Sequence, residues 1–568
     1  MMTSAKESFN SRNPEPGTRN PFYLLAVLLM ASSWAAAETP ASPVEVRGGL
    51  GVIDWGVVIL YLAGMLAVGV YYAYRTKTSE EYYLGGRRMN SFMVGLSLFA
   101  TLISTISYLA VPGEVMKHGP IVVLYIFALP VIFYIVGYWI IPHLTGLPIT
   151  SAYEILETKF GRPVRLFGSS MFLLVRFVWM GLVVFSAAKV VIPCLGWSPD
   201  TLPYVLAGVG AITVIYASMG GLQAVVLTDV IQAFILFGGA LVCVIMVTVK
   251  MGGFGWIPTR WSPNWDVQPL FSLDPRVRVT LFGTLVNTTV WWICTAGSDQ
   301  MAIQRYLATR DAKAARRAFL VNNIADVFVE VLLAALGFAL LAFYLANPQY
   351  QVGQLNLQQD ADYLFPHFVV NFLGYGMAGL VIAGMLAAAM SSLSSGVTST
   401  ATVINTDIVG ALLGRSLSEE AKVRLGKWMT LAIGVVVIGL GLLMGKVPGN
   451  LFEVTSKTNG LFVAPLFGLF FLALYVPFAT PMGAVFGSLY GLLAAFLVGF
   501  WDLTGGPKLS FQWILIASLL ANILVGCAIS LFPDRGRSAR YRTGAAMLWA
   551  LPLVITIALF VKAVIQHG

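Results

Sequence analysis

Charged side chains are scarce in this sequence, and their scarcity excludes most classes of soluble protein. The 568 residues include 35 Lys and Arg and 26 Asp and Glu, together 11% of the chain. A soluble protein carries about 25%. Hydrophobic residues make up 58% of the sequence, and the mean hydropathy is +0.80. No single soluble core buries so much apolar chain, so we expect lipid to surround most of it. This composition excludes a soluble enzyme, a nucleic-acid-binding domain and a disordered regulator.

Cysteine and histidine are also rare. The 4 cysteines are scattered without a CxxC motif, and we interpret them as buried thiols with no redox role. The 4 histidines are too few and too dispersed for a metal cluster. No catalytic His, Cys or pair of carboxylates converges in the sequence, so we predict that the protein is not an enzyme.

The first 38 residues have the pattern of a secretory signal peptide. A basic start precedes a short apolar run over 22–34, and three alanines at 35–37 end that run before Glu38. The run is shorter than the ~20 residues that a membrane span needs. We therefore predict a signal peptide over 1–38 and an external linker over 39–51, with an uncleaved anchor helix as the alternative.

Hydrophobic runs then repeat to the end of the chain, and each is long enough to cross the membrane as a helix. They predict about fourteen transmembrane helices over 52–74, 91–111, 119–142, 164–195, 201–218, 222–249, 278–297, 318–346, 372–396, 428–445, 459–477, 482–501, 511–532 and 545–563.

The distribution of basic residues sets the expected orientation. With the mature N-terminus outside, twenty of the 35 Lys and Arg, Arg305 among them, fall on the inner side and ten on the outer side. Cytoplasmic loops carry such an excess. We therefore expect a multi-pass protein of the cell (inner) membrane with both mature termini external, and we interpret the net charge of +9 as a sign of this topology.

Three of the runs are interrupted by small polar residues, as in helices that unwind to bind ions or solutes. The second run has five hydroxyls between Ser97 and Ser107, and the seventh ends in Gly297-Ser298. The ninth has four serines within 391–395, of which Ser391 and Ser395 share one helix face. Hydroxyls and freed carbonyls suit Na⁺, a hard cation, although small-residue helix packing is the alternative reading.

Few charged residues lie inside the runs. Asp229 is a functional candidate because it lies within the sixth run. Arg176, about half-way through the fourth run, needs a partner, which we expect to be Asp229 or an anionic substrate. We expect Asp326 and Glu330 to lie near the inner interface and to pair with nearby arginines.

Several segments together resemble the sodium:solute symporter family, also known as the sodium/glucose cotransporter family. The segment 216–232, YASMGGLQAVVLTDVIQ, resembles its Y-x-x-x-GGL-x-AVV-x-TD-x-x-Q signature. The elements EYYLGGR at 81–87, Gln304-Arg305 before Leu307-Ala308, SSLSS at 391–395 and Asp407-Ile408 also match it in order. The resemblance covers roughly residues 52–480.

The resemblance implies an all-α membrane protein with a LeuT-type 5+5 inverted repeat. The domain arrangement would be a single transporter domain over 52–568. An extra N-terminal helix and loop would occupy 52–90, the inverted-repeat core 91–480 and three C-terminal helices 481–568.

The resemblance also implies sodium as the coupling ion. The first sodium site of the family maps onto carbonyls of Ala100, Ile103 and Ala388 and hydroxyls of Ser391 and Ser392. The second site, present in some members, maps onto Asp229, Ser391, Ser394 and Ser395, so that one or two sodium ions would move in each cycle.

The substrate positions differ from the sugar-carrying pattern, since Leu102, Ser107 and Ile126 replace its polar groups. A small, partly apolar pocket would be lined by Ser104, Thr105, Ser107, Tyr125, Arg176, Trp291, Trp292, Thr295 and Ser456. The resemblance thus implies a sodium-coupled symporter of a small organic solute, with a small carboxylate favoured and a sugar or polyol next.

The expected partners are this solute and the lipid bilayer, with no nucleic acid and no obligate protein partner. A proton-coupled permease and a transporter-like membrane sensor are the alternatives.

Overall fold

The computed structural model describes residues 49–567 except 268, 351–356, 358–360, 411–417, 445–450 and 533–538, and these residues form helices and no strand. The predicted signal peptide and most of the predicted linker lie outside this part, as do Arg415, Arg535 and Arg537 of the inner basic set. The helices are α1 (Val52–Arg75), α2 (Ser79–Leu84), α3 (Ser91–Leu102), α4 (Thr105–His118), α5 (Pro120–Thr145), α6 (Glu154–Phe160), α7 (Arg162–Leu195), α8 (Leu202–Lys250), α9 (Leu281–Ser298), α10 (Gln300–Leu307), α11 (Ala312–Ala346), α12 (Ala361–Phe372), α13 (Met377–Val409), α14 (Glu419–Met444), α15 (Leu451–Tyr475), α16 (Pro481–Gly499), α17 (Gln512–Ser530) and α18 (Ala539–His567).

The membrane-spanning character of the chain is confirmed by these helices. Within the described residues, 11 helices are long and apolar enough to cross a membrane, or 12 if the bent pair α3–α4 is one span. The predicted spans 201–218 and 222–249 correspond to the two helical arms of α8, which join at a kink at Gly221, a residue with non-helical dihedral angles. The described residues give 11 or 12 candidate spans, so the number fourteen stays a prediction.

Two helix interruptions form where the sequence predicts them. Helices α3 and α4 meet at an angle of 65° because Ile103 and Ser104 adopt extended dihedral angles. Helices α9 and α10 are separated by the extended residue Asp299, one position after the predicted break. The Asp299 side chain accepts a hydrogen bond from the Met301 amide at 2.9 Å and so caps α10.

The ninth predicted span behaves differently, because α13 is helical throughout its serine cluster. The expectation that its own carbonyls are freed by unwinding was wrong. Helix α13 is the most enclosed span, with 89% of its apolar window buried, whereas the corresponding figure for α18 is 6%. The small side chains of α13 allow other helices to approach closely from several sides.

Helix α1 is fixed to the start of α13 by a buried carboxylate. Asp54 Oδ1 accepts hydrogen bonds from the amides of Gly376 at 2.7 Å and Gly379 at 2.8 Å. The two amides lie at the N-terminus of α13, where backbone donors lack helical partners and an acidic side chain is favoured.

Candidate functional site

The broken helix α3–α4 lies against the serines of α13. Ser391 Oγ donates hydrogen bonds to the carbonyl oxygens of Ala100 at 2.8 Å and Ala388 at 3.3 Å. Ser392 Oγ donates to the Ile103 carbonyl at 3.2 Å. The five residues predicted for the first sodium site therefore converge at one place. Helix α3 ends there, and the carbonyls of Ala100 and Ile103 at its end face the α13 serines.

The chemistry of this group suits a monovalent hard cation. All its potential ligands are neutral oxygens from hydroxyls and carbonyls, which replace a hydration shell without a large fixed charge. A divalent or transition metal would normally require carboxylates, imidazoles or thiolates. No group of three or more His, Cys, Asp or Glu capable of holding a metal occurs in the described part of the chain.

Of the residues predicted for the second sodium site, Ser394 and Ser395 lie about one turn beyond Ser391 on α13, and Asp229 lies on α8. Ser395 Oγ donates a hydrogen bond to Asp229 Oδ2 at 3.3 Å, and Ser394 Oγ donates to the Ser391 carbonyl at 3.0 Å. Ser97 Oγ donates to the same Asp229 oxygen at 2.6 Å. The other oxygen, Asp229 Oδ1, is buried with no hydrogen-bond partner among the described residues, and this leaves it available to a cation.

Arg305 is a member of this second group that the sequence analysis did not assign to it. Its Nη2 atom lies 3.1 Å from Asp229 Oδ2 and also donates to Ser395 Oγ, and its side chain has no solvent exposure. The expectation that Arg305 belongs to an inner loop was wrong. Its position in the Gln304-Arg305 motif was the available signal, since α10 is too polar for a hydropathy search to detect.

A cavity of about 230 Å³ lies beside the break in α3–α4. Eight of the nine predicted substrate residues line it, namely Ser104, Ser107, Tyr125, Arg176, Trp291, Trp292, Thr295 and Ser456. The ninth does not, because Thr105 Oγ1 donates a hydrogen bond to the Met385 carbonyl at 2.9 Å and is fully buried.

The cavity lies between two ends of the bundle that differ in structure. At one end, called the His118 end, Arg278 forms an ion pair with Glu114 at 2.5 Å, and Gln512 bonds to Thr284 at 2.8 Å. Thr284 and Gln512 line the cavity, which therefore extends towards this end. At the other end, called the Arg165 end, Arg165 and the hydroxyls of Ser151 and Ser169 all bond to Asp407.

Of the two partners predicted for Arg176, Asp229 was wrong. The Arg176 guanidinium forms a buried ion pair with Asp299 rather than with Asp229, and it lies 5.0 Å above the Trp179 ring. Since Asp299 also caps α10, the pair joins α7 to the second broken helix. Both side chains are about 6% exposed, so the charge of Arg176 is compensated inside the protein.

Asp326 and Glu330 also differ from expectation. They line the cavity, each is only 4% exposed, and neither forms an ion pair with a described arginine or lysine. Tyr125 instead donates a hydrogen bond to Asp326 Oδ2 at 3.0 Å. Their spacing of four residues, which places both on one helix face, was the signal that sequence reasoning underused.

Comparisons with known proteins agree with the geometry. The model of the sodium:solute symporter family matches residues 82–491. The sodium/sialic acid symporter SiaT of Proteus mirabilis is 29% identical over 491 residues, which cover 84% of this chain and 94% of that protein. The sodium-coupled monocarboxylate transporter 1 of Xenopus laevis is 30% identical over 462 residues, covering 80% and 72%.

A solved structure shows the same arrangement of helices. The substrate-bound, outward-open state of a Na⁺-coupled sialic acid symporter aligns with a TM-score of 0.73 and 28% identity, over 85% of this chain and 98% of that one. The family match, the coverage and the two broken helices together support one assignment. This chain is a membrane transporter with a LeuT-type fold and belongs to the sodium:solute symporter family.

Proposed function

We propose that this protein imports a small organic solute by alternating access, driven by sodium bound between α3 and α13. The observation that carries this proposal is the convergence of the Ser391 and Ser392 hydroxyls with the carbonyls of Ala100 and Ile103 at the helix break. An ion held there would join α3 to α13, and so order the wall of the cavity that contains Ser104.

A second sodium ion would bind at Asp229, Ser391, Ser394 and Ser395. The unpartnered Asp229 Oδ1 atom supports such a site, whereas the pairing of Asp229 Oδ2 with Arg305 already compensates the carboxylate charge. We therefore expect the second ion to bind more weakly than the first, because it adds a positive charge next to a guanidinium.

The direction of transport and the domain arrangement belong to the same proposal. The His118 end would face outside, so that the cavity is open to the external side in this conformation, in a cell (inner) membrane with both mature termini external. Residues 91–480 would form the inverted-repeat core, and 481–568 three additional helices. The wall residues Trp291, Trp292 and Ser456, with Ser107 and Thr295, would contact the solute.

A small carboxylate as the substrate has less support from the structure than sodium-coupled transport has. Relatives include carriers of sialic acid and of monocarboxylates. However, Arg176, which would recognise a carboxylate, already has Asp299 as its partner. The cavity volume of about 230 Å³ favours a solute smaller than the occupants of typical drug-sized pockets, which measure about 300–1,000 Å³.

The proposal is tested by measuring the thermal unfolding midpoint of the purified protein at increasing sodium concentration, with potassium as the replacement cation. We expect sodium to raise the midpoint and potassium to have no effect, because only the native state holds the sodium site. Ser392→Ala should increase the sodium concentration required by about tenfold or more, which corresponds to ~1.4 kcal/mol.

A matched control is Ser170→Ala, since Ser170 is an exposed serine of α7 whose Oγ donates to the Leu166 carbonyl at 2.7 Å. It should titrate like the unsubstituted protein. Equal stabilisation by sodium and potassium, or an unchanged sodium titration in Ser392→Ala, would contradict the proposed site.

A further inference from the structure

Two carboxylates in the cavity wall have no counter-charge among the described residues. Asp326 and Glu330 lie one turn apart on α11, both line the cavity, and each is 4% exposed. No arginine or lysine of the described residues lies within ion-pair distance of either one. An unpaired buried charge is costly, and two like charges four residues apart on one helix face repel each other.

The other buried acids of the described chain show how unusual this pair is. Asp229 pairs with Arg305, Asp299 with Arg176, and Asp407 with Arg165. Glu114 pairs with Arg278, and Asp54 accepts two backbone amides. Each of these five has a structural role, whereas the Asp326–Glu330 pair has only the Tyr125 hydroxyl, which lies close to both carboxylates.

The rest of the cavity wall suits a cation. Trp291 and Trp292 contribute aromatic rings, whose faces attract ammonium groups. Thr295 is only 2% exposed, and its Oγ1 atom, which has no hydrogen-bond partner in the described part of the chain, offers an additional acceptor. The guanidinium in the wall, Arg176, is paired with Asp299, whereas the two acids of the described wall, Asp326 and Glu330, have no basic partner.

We propose that the transported solute carries an ammonium nitrogen, and that Asp326 and Glu330 bind it against the aromatic wall. This inference rests on the proposed symport function and specifies its substrate class. The positive nitrogen would lie between the two carboxylates and relieve their repulsion, with Tyr125 orienting the Asp326 carboxylate. A neutral or purely anionic solute would leave both acids uncompensated in a cavity of low dielectric constant.

The experiment compares probes that share a four-carbon skeleton and differ in charge. The full chain in lipid nanodiscs is heated with butylamine, 4-aminobutyrate, butyrate or butanol, and with choline as a quaternary ammonium probe, each in sodium and in potassium. We expect the midpoint to rise with at least one ammonium-bearing probe in sodium, and to remain unchanged with butyrate and butanol. A requirement for the carboxylate of 4-aminobutyrate would show that the solute is a zwitterion, which also supports the ammonium site.

Amide variants test the two acids directly. Asp326→Asn and Glu330→Gln should each weaken binding of the effective ammonium probe by about tenfold or more, because each leaves the nitrogen without a charged partner. Without a probe, both variants should be at least as stable as the unsubstituted protein, since they remove like-charge repulsion. Stabilisation by sodium shows that each variant is folded. Glu420→Gln, an exposed acid at the start of α14, is the matched control and should bind like the unsubstituted chain.

The outcomes separate this inference from the proposed function. Stabilisation by butyrate but by no ammonium probe, no response to any ammonium probe, or unchanged amine binding in both amide variants would each overturn the ammonium site. Uptake driven by a pH gradient without sodium would assign the acids to proton transfer and overturn it as well. Sodium-driven uptake of butyrate would retain the symport and refute only the ammonium site, whereas sodium-independent amine binding would retain the site and refute the coupling.

Discussion

At the scale of single residues, most buried charged side chains of the described site have a partner of opposite charge inside the protein. A charged side chain without such a partner is the better candidate for binding a ligand. Arg176 looked from the sequence like a substrate residue, but Asp299 neutralises it. Asp326 and Glu330 looked like interfacial residues, but no described cation faces them. Sequence position identified the charged side chains correctly and assigned their partners incorrectly, because pairing depends on which helices pack together.

The depth of Asp326 in the bundle illustrates why. The apolar run predicted for this span begins at residue 318, whereas α11 begins at Ala312. Asp326 is therefore 14 residues into the helix, a rise of about 21 Å. In contrast, the serine cluster of α13 could be recognised from the sequence, since four hydroxyls within five residues form a local pattern, and its role in sodium binding stays a prediction.

The second sodium site provides a prediction at this scale. Removing the hydroxyl in Ser395→Ala takes away a donor to Asp229 without changing any charge. We expect a cooperative sodium dependence, with a Hill coefficient that falls from above one towards about one in the variant. Ser399→Ala is the control, because this buried hydroxyl bonds to the Ser395 carbonyl at 2.8 Å and lies a turn away. Identical Hill coefficients in Ser395→Ala and the unsubstituted protein would remove the second ion from the proposal.

At the scale of the helices, function depends on where the chain stops being regular. The breaks at Ile103–Ser104 and at Asp299 were predictable, because small polar residues interrupt an apolar run there. The polar helix α10 after the second break was not, because all 8 of its residues are buried although they include Gln300, Gln304 and Arg305. Hydropathy detects lipid-facing helices, and α10 is buried in protein instead.

Helix α8 supplies a prediction about an irregular position. Gly221 has φ 59° and ψ −152°, and a Cβ atom there would lie 2.5 Å from the Tyr82 carbonyl oxygen. Gly221→Ala combines an unfavourable backbone conformation with this clash, so we expect a loss of stability of about 1–3 kcal/mol, measured as a lower thermal midpoint.

The matched control for this substitution lies in the same helix. Gly238 has open space around a Cβ atom, with nothing within 4 Å, and its backbone is helical. Gly238→Ala should therefore be neutral or raise the midpoint, by up to about 1 kcal/mol of helix propensity. If both variants have the same midpoint, the special backbone conformation of Gly221 does not contribute to stability.

At the scale of the whole molecule, the sodium gradient and the charge of the solute decide how far import can proceed. One sodium ion supplies about 2.3 kcal/mol from a membrane potential of −100 mV. A tenfold sodium gradient adds ~1.4 kcal/mol. A monoanionic solute would lose about 2.3 kcal/mol to the same potential, whereas a monocation would gain it. The proposed ammonium substrate therefore requires fewer coupled ions for a given accumulation than a carboxylate does.

Alternating access also requires a closure that can open at the end opposite the cavity mouth. Arg165 Nε and Nη2 donate to Asp407 Oδ1 at 3.0 and 2.5 Å, and Arg165 Nη1 lies 2.5 Å from Glu157 Oε2. Ser151 and Ser169 each donate to Asp407 Oδ2 at 2.7 Å. These contacts connect α13 to α7 and to the segment before α6, and we expect them to hold the Arg165 end closed while the cavity extends towards the other end.

This closure predicts a shift in conformational population when it is weakened. Arg165→Gln removes the charge that joins Asp407 to Glu157, so it should favour the state in which the Arg165 end is open and the cavity is closed towards the His118 end.

This shift is measured with a cysteine in the cavity wall, Ser107→Cys, in a chain whose 4 native cysteines are replaced by alanine. A membrane-impermeant maleimide added from the His118 side labels this cysteine when the cavity is open to that side. Each ~1.4 kcal/mol lost from the closed end should slow labelling by up to about tenfold, and saturating sodium should restore the rate because its proposed site stabilises the starting state. Arg317→Gln, an exposed arginine at the start of α11, should label at the unsubstituted rate. Faster or unchanged labelling in Arg165→Gln would show that the Asp407 contacts do not hold this end closed.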